Sequence, residues 1–496
     1  MSSILSDPEK SLLNAVGRLI FTNPFTPERL RLEEQLLGHK RPESVWNMHS
    51  LGAEYDDDID ALAGLAEHWS NELRRRAAAV TKLSPSDCEI LEAVVLYHLF
   101  EKYRVPMTDG MLNSPENTFF PVYRDFERDF NHYLLFPGRK GECPYRPERT
   151  FAIYFQIHRA FYHIFDFIAG STIAAGEFRA SIWQSIFTCD IYRYHRALYD
   201  RMNHITTLIS GESGTGKELV ASAIARSQYI PFDTRKMEFA VAYPECFWPV
   251  QLSAMPQTML ESELFGHRKG AYTGALGDRK GYLESCPEWG SVFLDEIGDI
   301  NMETQVKLLR VLQTRHFQRL GDTAQYMFKG KVIAATNRDL GRECANGKFR
   351  EDLYYRLCAD TVSTPSLREL IGGGREELKR FVHVLSVRCI GEDEAAVFTG
   401  DAVRWIEKNL GLDYPWPGNV RELEQCVRNL LIRGRYTPAS IAAGTGNNVP
   451  DDIPAAELMT RYCRALYRRF GNYRAAADFA GLDRRTLRKY IGEDGD

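Results

Sequence analysis

The sequence predicts an α/β domain with a parallel sheet and a phosphate-binding loop, set between a mainly helical N-terminal region and a basic helical tail. Three observations carry this expectation. TTLISGESGTGKELVASAIA (206–225) reads as strand, glycine loop and helix in succession. The runs FWPVQLSA, SVFLDEI and KVIAATN are short and apolar and end in polar residues, as buried parallel strands do at their C-terminal ends. Apolar residues spaced at three and four fill much of 1–180, and the chain reads as helical again over 366–436.

Composition bounds what such a chain can be. Its 496 residues suffice for two to four domains, and 44% hydrophobic with 26% charged residues is ordinary for a globular protein. The net charge of −5 requires any nucleic-acid surface to be local. Ten Cys are scattered without a CxxC pair, which argues against a zinc module and fits reduced thiols in a cytoplasmic protein. The opening MSSILSDPEK lacks the apolar core of a signal peptide. The most membrane-like run, FAIYFQIHRAFYHIFDFIAG (151–170), is interrupted by His158, Arg159, His163 and Asp166, so it reads as a buried aromatic-rich helix and no membrane partner is expected.

The N-terminal region, 1–180, contains the helical stretches EHWSNELRRRAAAV and CEILEAVVLYHLFEKYRV, followed by a loop-rich segment over 105–150. It shows no phosphoacceptor receiver pattern, and by position it reads as a regulatory domain. DDDIDALAGLAE (56–67) mimics a calcium loop through Asp56, Asp58, Asp60 and Glu67, but Ala61 stands where the sharp turn needs Gly. A negatively charged helix start is the better reading. His158 and His163 are five apart, off one helical face, and read as ordinary helix residues rather than ligands.

Gly211, Glu212, Ser213, Gly214, Thr215, Gly216, Lys217 and Glu218 form GESGTGKE, the GxxxxGK portion of a phosphate-binding loop in its proper strand-to-helix setting. Glycines free the backbone N–H groups to face phosphate oxygens, and Lys217 can neutralise the β and γ phosphates of ATP. Glu218 stands where a Ser or Thr usually binds the metal, leaving Thr215 or water for that task. About eighty residues on, SVFLDEIGD delivers Asp295 and Glu296 at a strand end. The first carboxylate can hold Mg²⁺ and the second can polarise an attacking water.

GESGTGKE, ESELFGHRKGAYTGA, GSVFLDEIGD, AATNRDL, FREDLYYRL and YPWPGNVRELEQ, in this order, resemble the central AAA+ domain of sigma-54-dependent bacterial transcription activators. The resemblance covers 181–436. It implies an AAA+ α/β subdomain over 181–365, a helical lid over 366–436, and assembly into a ring, a hexamer. It implies that Gly270, Ala271, Tyr272, Thr273, Gly274 and Ala275, the GAYTGA loop, contact the sigma-54 factor and drive opening of the RNA polymerase promoter complex. By composition that loop can bury little and reads as a flexible, exposed tip. Asn337 resembles a sensor of the γ-phosphate, Arg350 and Arg356 resemble arginine fingers, and Arg421 resembles the lid's sensor arginine. Two positions depart from the family pattern: Tyr272 replaces a Phe, and Gln251 replaces an Asn that restrains the catalytic Glu.

A linker, 437–456, precedes the last segment, 457–496. FGNYRAAADFAGLDRRTLRKYI (470–491) reads as two short helices turning at Gly481, with Asp483 as a cap and Leu487 and Ile491 on a buried face. Nine Lys or Arg face two Asp over 461–491, a local basic surplus. This resembles a Fis-type helix-turn-helix, which implies that Arg484, Arg485, Thr486, Arg488 and Lys489 meet double-stranded enhancer DNA. Two rival readings remain. One is a related DNA-binding regulator that works with the ordinary sigma factor and keeps ATP as a ligand only; the other is an unfoldase-type ATPase, which leaves the tail unexplained.

Overall fold

In the computed structural model the described residues are 3–41, 57–136, 139, 143–438 and 455–491. The four strand segments read from the sequence become β1 Thr207–Ser210, β2 Phe247–Gln251, β3 Ser291–Asp295 and β4 Lys331–Thr336, and a strand that no apolar run announced, β5 Asp360–Ser363, joins them. They form one sheet in the order β2-β3-β4-β1-β5, every neighbour parallel. All six residues of β4 are buried, as a central strand covered on both faces requires. Pro249 sits in β2, at the sheet edge, where a missing N–H costs no ladder bond.

Alternation along the strands feeds two cores. Ile209, Phe293, Ile333, Ala335 and Val362 join one, while Leu208, Val292, Leu294, Val332 and Ala334 join the other. The first core extends without a break into the N-terminal helices through residues such as Leu13, Leu91, Phe126, Phe151 and Trp183. Residues 1–435 form one compact unit and 436–496 a second. The expected border at 180 falls inside the helix Ile173–Phe187.

The run singled out as membrane-like is the helix Pro147–Phe167, and His158, Arg159 and His163 on it are all buried. Burial pushes both histidines down to about 3, so they sit neutral inside the core. Among the described residues no helix is long and apolar enough to cross a membrane. The calcium-like stretch is the start of the helix Asp57–Ala78, with Asp57, Asp58 and Asp60 in its first turn; Asp56 lies outside the described residues. Asp58 there pairs with His39 and Arg41.

From Leu367 to Arg433 the chain is helical, built from Leu367–Ile371, Arg375–Ile390, Glu392–Asn409 and Asn419–Arg433. Among the described residues the second unit holds three helices, Ala455–Phe470, Tyr473–Ala480 and Arg484–Ile491. Gly481 ends the middle one with φ 65°, and Asp483 accepts from the N–H groups of Arg485 and Thr486, so the turn is closed by a left-handed glycine and an aspartate cap. Leu487 is fully buried, beside Cys463, Leu466, Ala476 and Ala477.

Candidate functional site

The C-terminal strand ends collect the candidate site on one edge of the sheet, the edge where open parallel sheets place their ligands. Ser210 of β1 pairs with Thr336 of β4 on one side and Ser363 of β5 on the other. From there Gly211 turns out with φ 153°, and a Cβ on it would lie 2.0 Å from Thr364 Oγ1. Gly214 has φ 79°, and its Cβ would lie 2.3 Å from the Gly418 carbonyl. Neither position admits a side chain. Gly216, at φ 89°, opens the helix Lys217–Arg226, whose N-terminal N–H groups are an anion-binding end.

Lys217 is buried, and its Nζ donates to the carbonyls of Gly211 and Glu212, both at 3.0 Å. Desolvation lowers its pKa, opposed by the carboxylates of Glu296 and Asp295 and aided by Arg421. Glu218 is exposed. Thr215, offered by the sequence as a substitute metal ligand, spends its hydroxyl within the protein: Oγ1 donates to Glu212 O at 2.8 Å and lies 2.6 Å from Thr364 Oγ1.

The helical segment after β5 closes over this loop. Asn419, buried with φ 52°, donates from Nδ2 to Ser213 O at 3.0 Å and to Glu212 Oε2 at 3.1 Å, and accepts from Leu367 N at 2.9 Å. The Val420 N–H donates to Gly214 O at 3.1 Å, and Arg421 Nη1 reaches Ser213 Oγ at 3.3 Å. Arg368 forks onto the Glu212 carboxylate, which together with Asn419 lowers that group's pKa. Sequence reasoning assigned no contact to Thr364, Arg368 or Asn419. Thr364 had a signal, a polar residue following the strand beside β1; the other two are long-range partners that no local pattern marks.

Asp295 ends β3 beside Gln251 of β2, half-buried. Glu296 follows with φ 54°, a left-handed conformation unusual for a residue with a side chain. Its N–H donates to Asp295 Oδ1 at 3.1 Å, and its Oε2 accepts from the Asn337 N–H at 3.3 Å. Asn337 itself is exposed just past the end of β4. The glycine loop, the carboxylate pair and Asn337 therefore lie along adjacent strand ends, with β4 between β1 and β3.

Arg350 precedes the helix Glu351–Leu357 at its N-cap, and Arg356 lies in its last turn. Arg350 forks onto Asp352 at 3.0 and 2.6 Å, while Arg356 is exposed. Neither hydrogen-bonds to the phosphate loop of its own chain among the described residues.

The GAYTGA stretch is exposed at Gly270, Tyr272, Thr273 and Gly274, as its composition suggested, and it is closed by hydrogen bonds of its own. Gly270 N donates to Ala275 O at 2.9 Å and Ala275 N to Tyr272 O at 3.0 Å, closing a tight turn. The Tyr272 ring folds back edge-on to His267, with centroids 5.2 Å apart, and its hydroxyl lies 3.4 Å from Ser262 Oγ. An aromatic ring has apolar surface to cover, and the helix Gln257–Phe265 with His267 supplies it. Below the turn, His267 and Arg279 exchange both backbone bonds, and Arg268 pairs with Asp278 and Asp322. Thr273 and Gly274 stay exposed, and Leu276 is 88% exposed.

In the second unit Arg484, Arg485, Arg488 and Lys489 are exposed, whereas Thr486 turns its hydroxyl onto Asp483 at 2.6 Å.

Residues 189–363 match the family described as the Sigma-54 interaction domain. The chain is similar to the nitrogen fixation protein VnfA of Azotobacter vinelandii, 37% identical over 309 residues that cover 58% of this chain and 54% of that protein. It is similar to the Nif-specific regulatory protein of the same organism, 42% identical over 244 residues, or 48% of this chain and 42% of that one. The transcriptional regulatory protein ZraR of Klebsiella oxytoca is 39% identical over 296 residues, covering 57% of this chain and 62% of ZraR. The chain thus spans about half the length of the curated relatives it matches. Over residues 189–363 the chain is similar to proteins that carry a sigma-54 interaction domain.

Proposed function

We propose that this chain is a sigma-54-dependent transcription activator: it binds enhancer DNA, hydrolyses ATP as a ring of subunits, and uses the hydrolysis to remodel the sigma-54 RNA polymerase promoter complex. The observation that carries the reading is the alignment of the glycine loop, Asp295, Glu296 and Asn337 on consecutive strand ends of one sheet. Phosphoryl transfer needs little covalent help, so its catalysis is positioning and charge stabilisation, which such an edge supplies.

In this mechanism Gly211 to Gly216 and the start of the helix after them receive the phosphates, and Lys217 neutralises them. Lys217 suits the task because its ammonium is held by carbonyls alone in a desolvated setting, where a phosphate is a better partner. Asp295 is the residue that would hold Mg²⁺, since Glu218 is exposed and Thr215 is committed to Glu212 and Thr364. The metal neutralises developing phosphate charge when bound. Glu296 orients the attacking water and Asn337 reads the γ-phosphate. Arg350 and Arg356 serve a neighbouring subunit's site, which suits their lack of hydrogen bonds to their own phosphate loop. Arg421 reports nucleotide to the helical lid through its place beside Ser213. Thr273, exposed at the tip of the GAYTGA turn, and Tyr272 make the contact with sigma-54. Arg484, Arg485, Arg488 and Lys489 serve DNA binding; Thr486 serves it by holding the helix start.

The deciding experiment is transcription in vitro from a sigma-54 promoter and from an ordinary one, with ATP or a non-hydrolysable analogue. Open-complex formation by the sigma-54 polymerase, dependent on hydrolysis, is expected. Activation of the ordinary polymerase with the analogue would overturn the proposal in favour of ATP as a ligand only.

A further inference from the structure

The helix that begins at the phosphate loop ends against the N-terminal helices. Its last residue is Arg226, followed by the cap Ser227 and by Gln228. The carbonyl of each of these three consecutive residues accepts a side-chain bond from the helix Pro147–Phe167. Arg159 Nη1 donates to Arg226 O, Gln156 Nε2 to Ser227 O and Arg159 Nη2 to Gln228 O, all at 2.8 Å. Spaced three apart, Gln156 and Arg159 share one face of their helix and act together.

Two features make this more than incidental packing. Arg159 is 0% exposed, yet no carboxylate pairs with it among the described residues; the carbonyls and the rings of Phe155 and Tyr243 are its surroundings. A buried guanidinium normally demands an acid, and here the negative end of a helix dipole stands in for one. Gln156 is fixed in turn, its Oε1 accepting from the Tyr194 hydroxyl at 2.9 Å, and it too is buried. The far end of a ten-residue helix is therefore held by a two-residue fork, while its near end carries Gly216 and Lys217. A helix this short is a stiff rod, so a shift at one end is a shift at the other.

We propose that Arg159, with Gln156, is a positioning residue for ATP turnover: it fixes the distal end of the phosphate-loop helix and is the point through which the N-terminal helices act on the nucleotide. The inference rests on the ATPase reading above. It assigns to the N-terminal region a defined place of action, since a movement of the helix Pro147–Phe167 is transmitted to Lys217 through three hydrogen bonds.

The test is steady-state ATP hydrolysis by the full chain at fixed protein concentration, comparing wild type, Arg159→Met, Arg159→Lys and Gln156→Leu, with thermal melts alongside. A displaced phosphate loop binds nucleotide less well, so Arg159→Met is expected to raise KM for ATP about fivefold or more with kcat changed less than about twofold. Arg159→Lys keeps the charge but not the fork, and is expected to recover part of the affinity. A purely structural role predicts the opposite split, a lower active fraction at unchanged KM. Should Arg159→Met fail to fold, Gln156→Leu carries the measurement, with KM expected to rise about twofold from the loss of one cap. Folded variants with wild-type KM overturn the inference while the ATPase reading stands. A wild-type chain that neither binds nor hydrolyses ATP overturns both.

Discussion

The backbone N–H of Asn337 donates to the Glu296 carboxylate at 3.3 Å, tying the end of β4 to the end of β3. Glu296 holds φ 54°, a conformation that costs energy in any residue with a Cβ, and this bond helps to retain it. Gln251 stands beside Asp295 in the edge strand and is exposed. Glu296→Gln keeps the shape and loses the base. Hydrolysis is expected to fall about 10²-fold or more while ATP is still bound. Turnover near wild type in the purified variant would remove Glu296 from the mechanism.

Lys217 carries an opposite expectation for stability and function. Its pKa is lowered chiefly by desolvation, so the folded state disfavours the charged form relative to the unfolded chain. The unfolded chain binds more protons at this group between the lowered folded value and the ordinary lysine range near 10, so the group's penalty is present at neutral pH and relieved as pH rises through that window. Lys217→Met should therefore abolish ATP binding without lowering the melting temperature at pH 7. A fall of many degrees, or retained nucleotide affinity, contradicts the assignment.

At the GAYTGA turn the two side chains separate by what they touch. Thr273 is exposed, so Thr273→Ala is expected to keep ATPase activity within about twofold and to lose promoter opening. Tyr272→Phe deletes a hydroxyl 3.4 Å from Ser262 but keeps the ring on His267, and should leave both activities nearly intact. Full transcription by Thr273→Ala, or its loss in Tyr272→Phe, reverses these roles.

The sheet and its edge were legible because buried parallel strands and the glycine loop are written locally: SVFLDEI became a strand ending at Asp295, and KVIAATN one ending just before Asn337. What escaped was everything set by partners distant in sequence. Asn419 and Arg368 reach the phosphate loop across more than 150 residues, and Gln156 and Arg159 reach its helix from the other side. Apolar spacing tells which face of Pro147–Phe167 is buried, and cannot tell against what. At the GAYTGA turn the exposure was legible in the composition, whereas the approach of the Tyr272 ring to His267 and of its hydroxyl to Ser262 was not.

A border placed at 180 has a direct consequence. Starting the chain at Ser181 would cut the helix Ile173–Phe187, remove Gln156 and Arg159, and expose Ile209, Val220, Ile224 and Phe293 of the shared core. Exposing that much apolar surface is expected to abolish a cooperative melt and ATPase activity, measurable by circular dichroism and phosphate release. A soluble 181–496 chain with full hydrolysis would show that the N-terminal helices are a detachable module after all.

The tail offers a test of charge rather than shape. Arg485 and Arg488 are exposed, and Arg488 lies with its guanidinium 5.7 Å from the Tyr473 ring centre, so both can be replaced without opening the core around Leu487. If they neutralise phosphates, each Ala substitution should weaken duplex binding and reduce the slope of log affinity against log salt by about 1. Thr486→Ala acts differently, since it deletes the 2.6 Å bond to Asp483 that helps to cap the helix. Its expected effect is a lower melting temperature for the tail, with the salt slope unchanged. Fluorescence anisotropy on labelled duplex across a salt series separates the two, and a slope unmoved by Arg485→Ala and Arg488→Ala together would exclude this helix from the DNA contact.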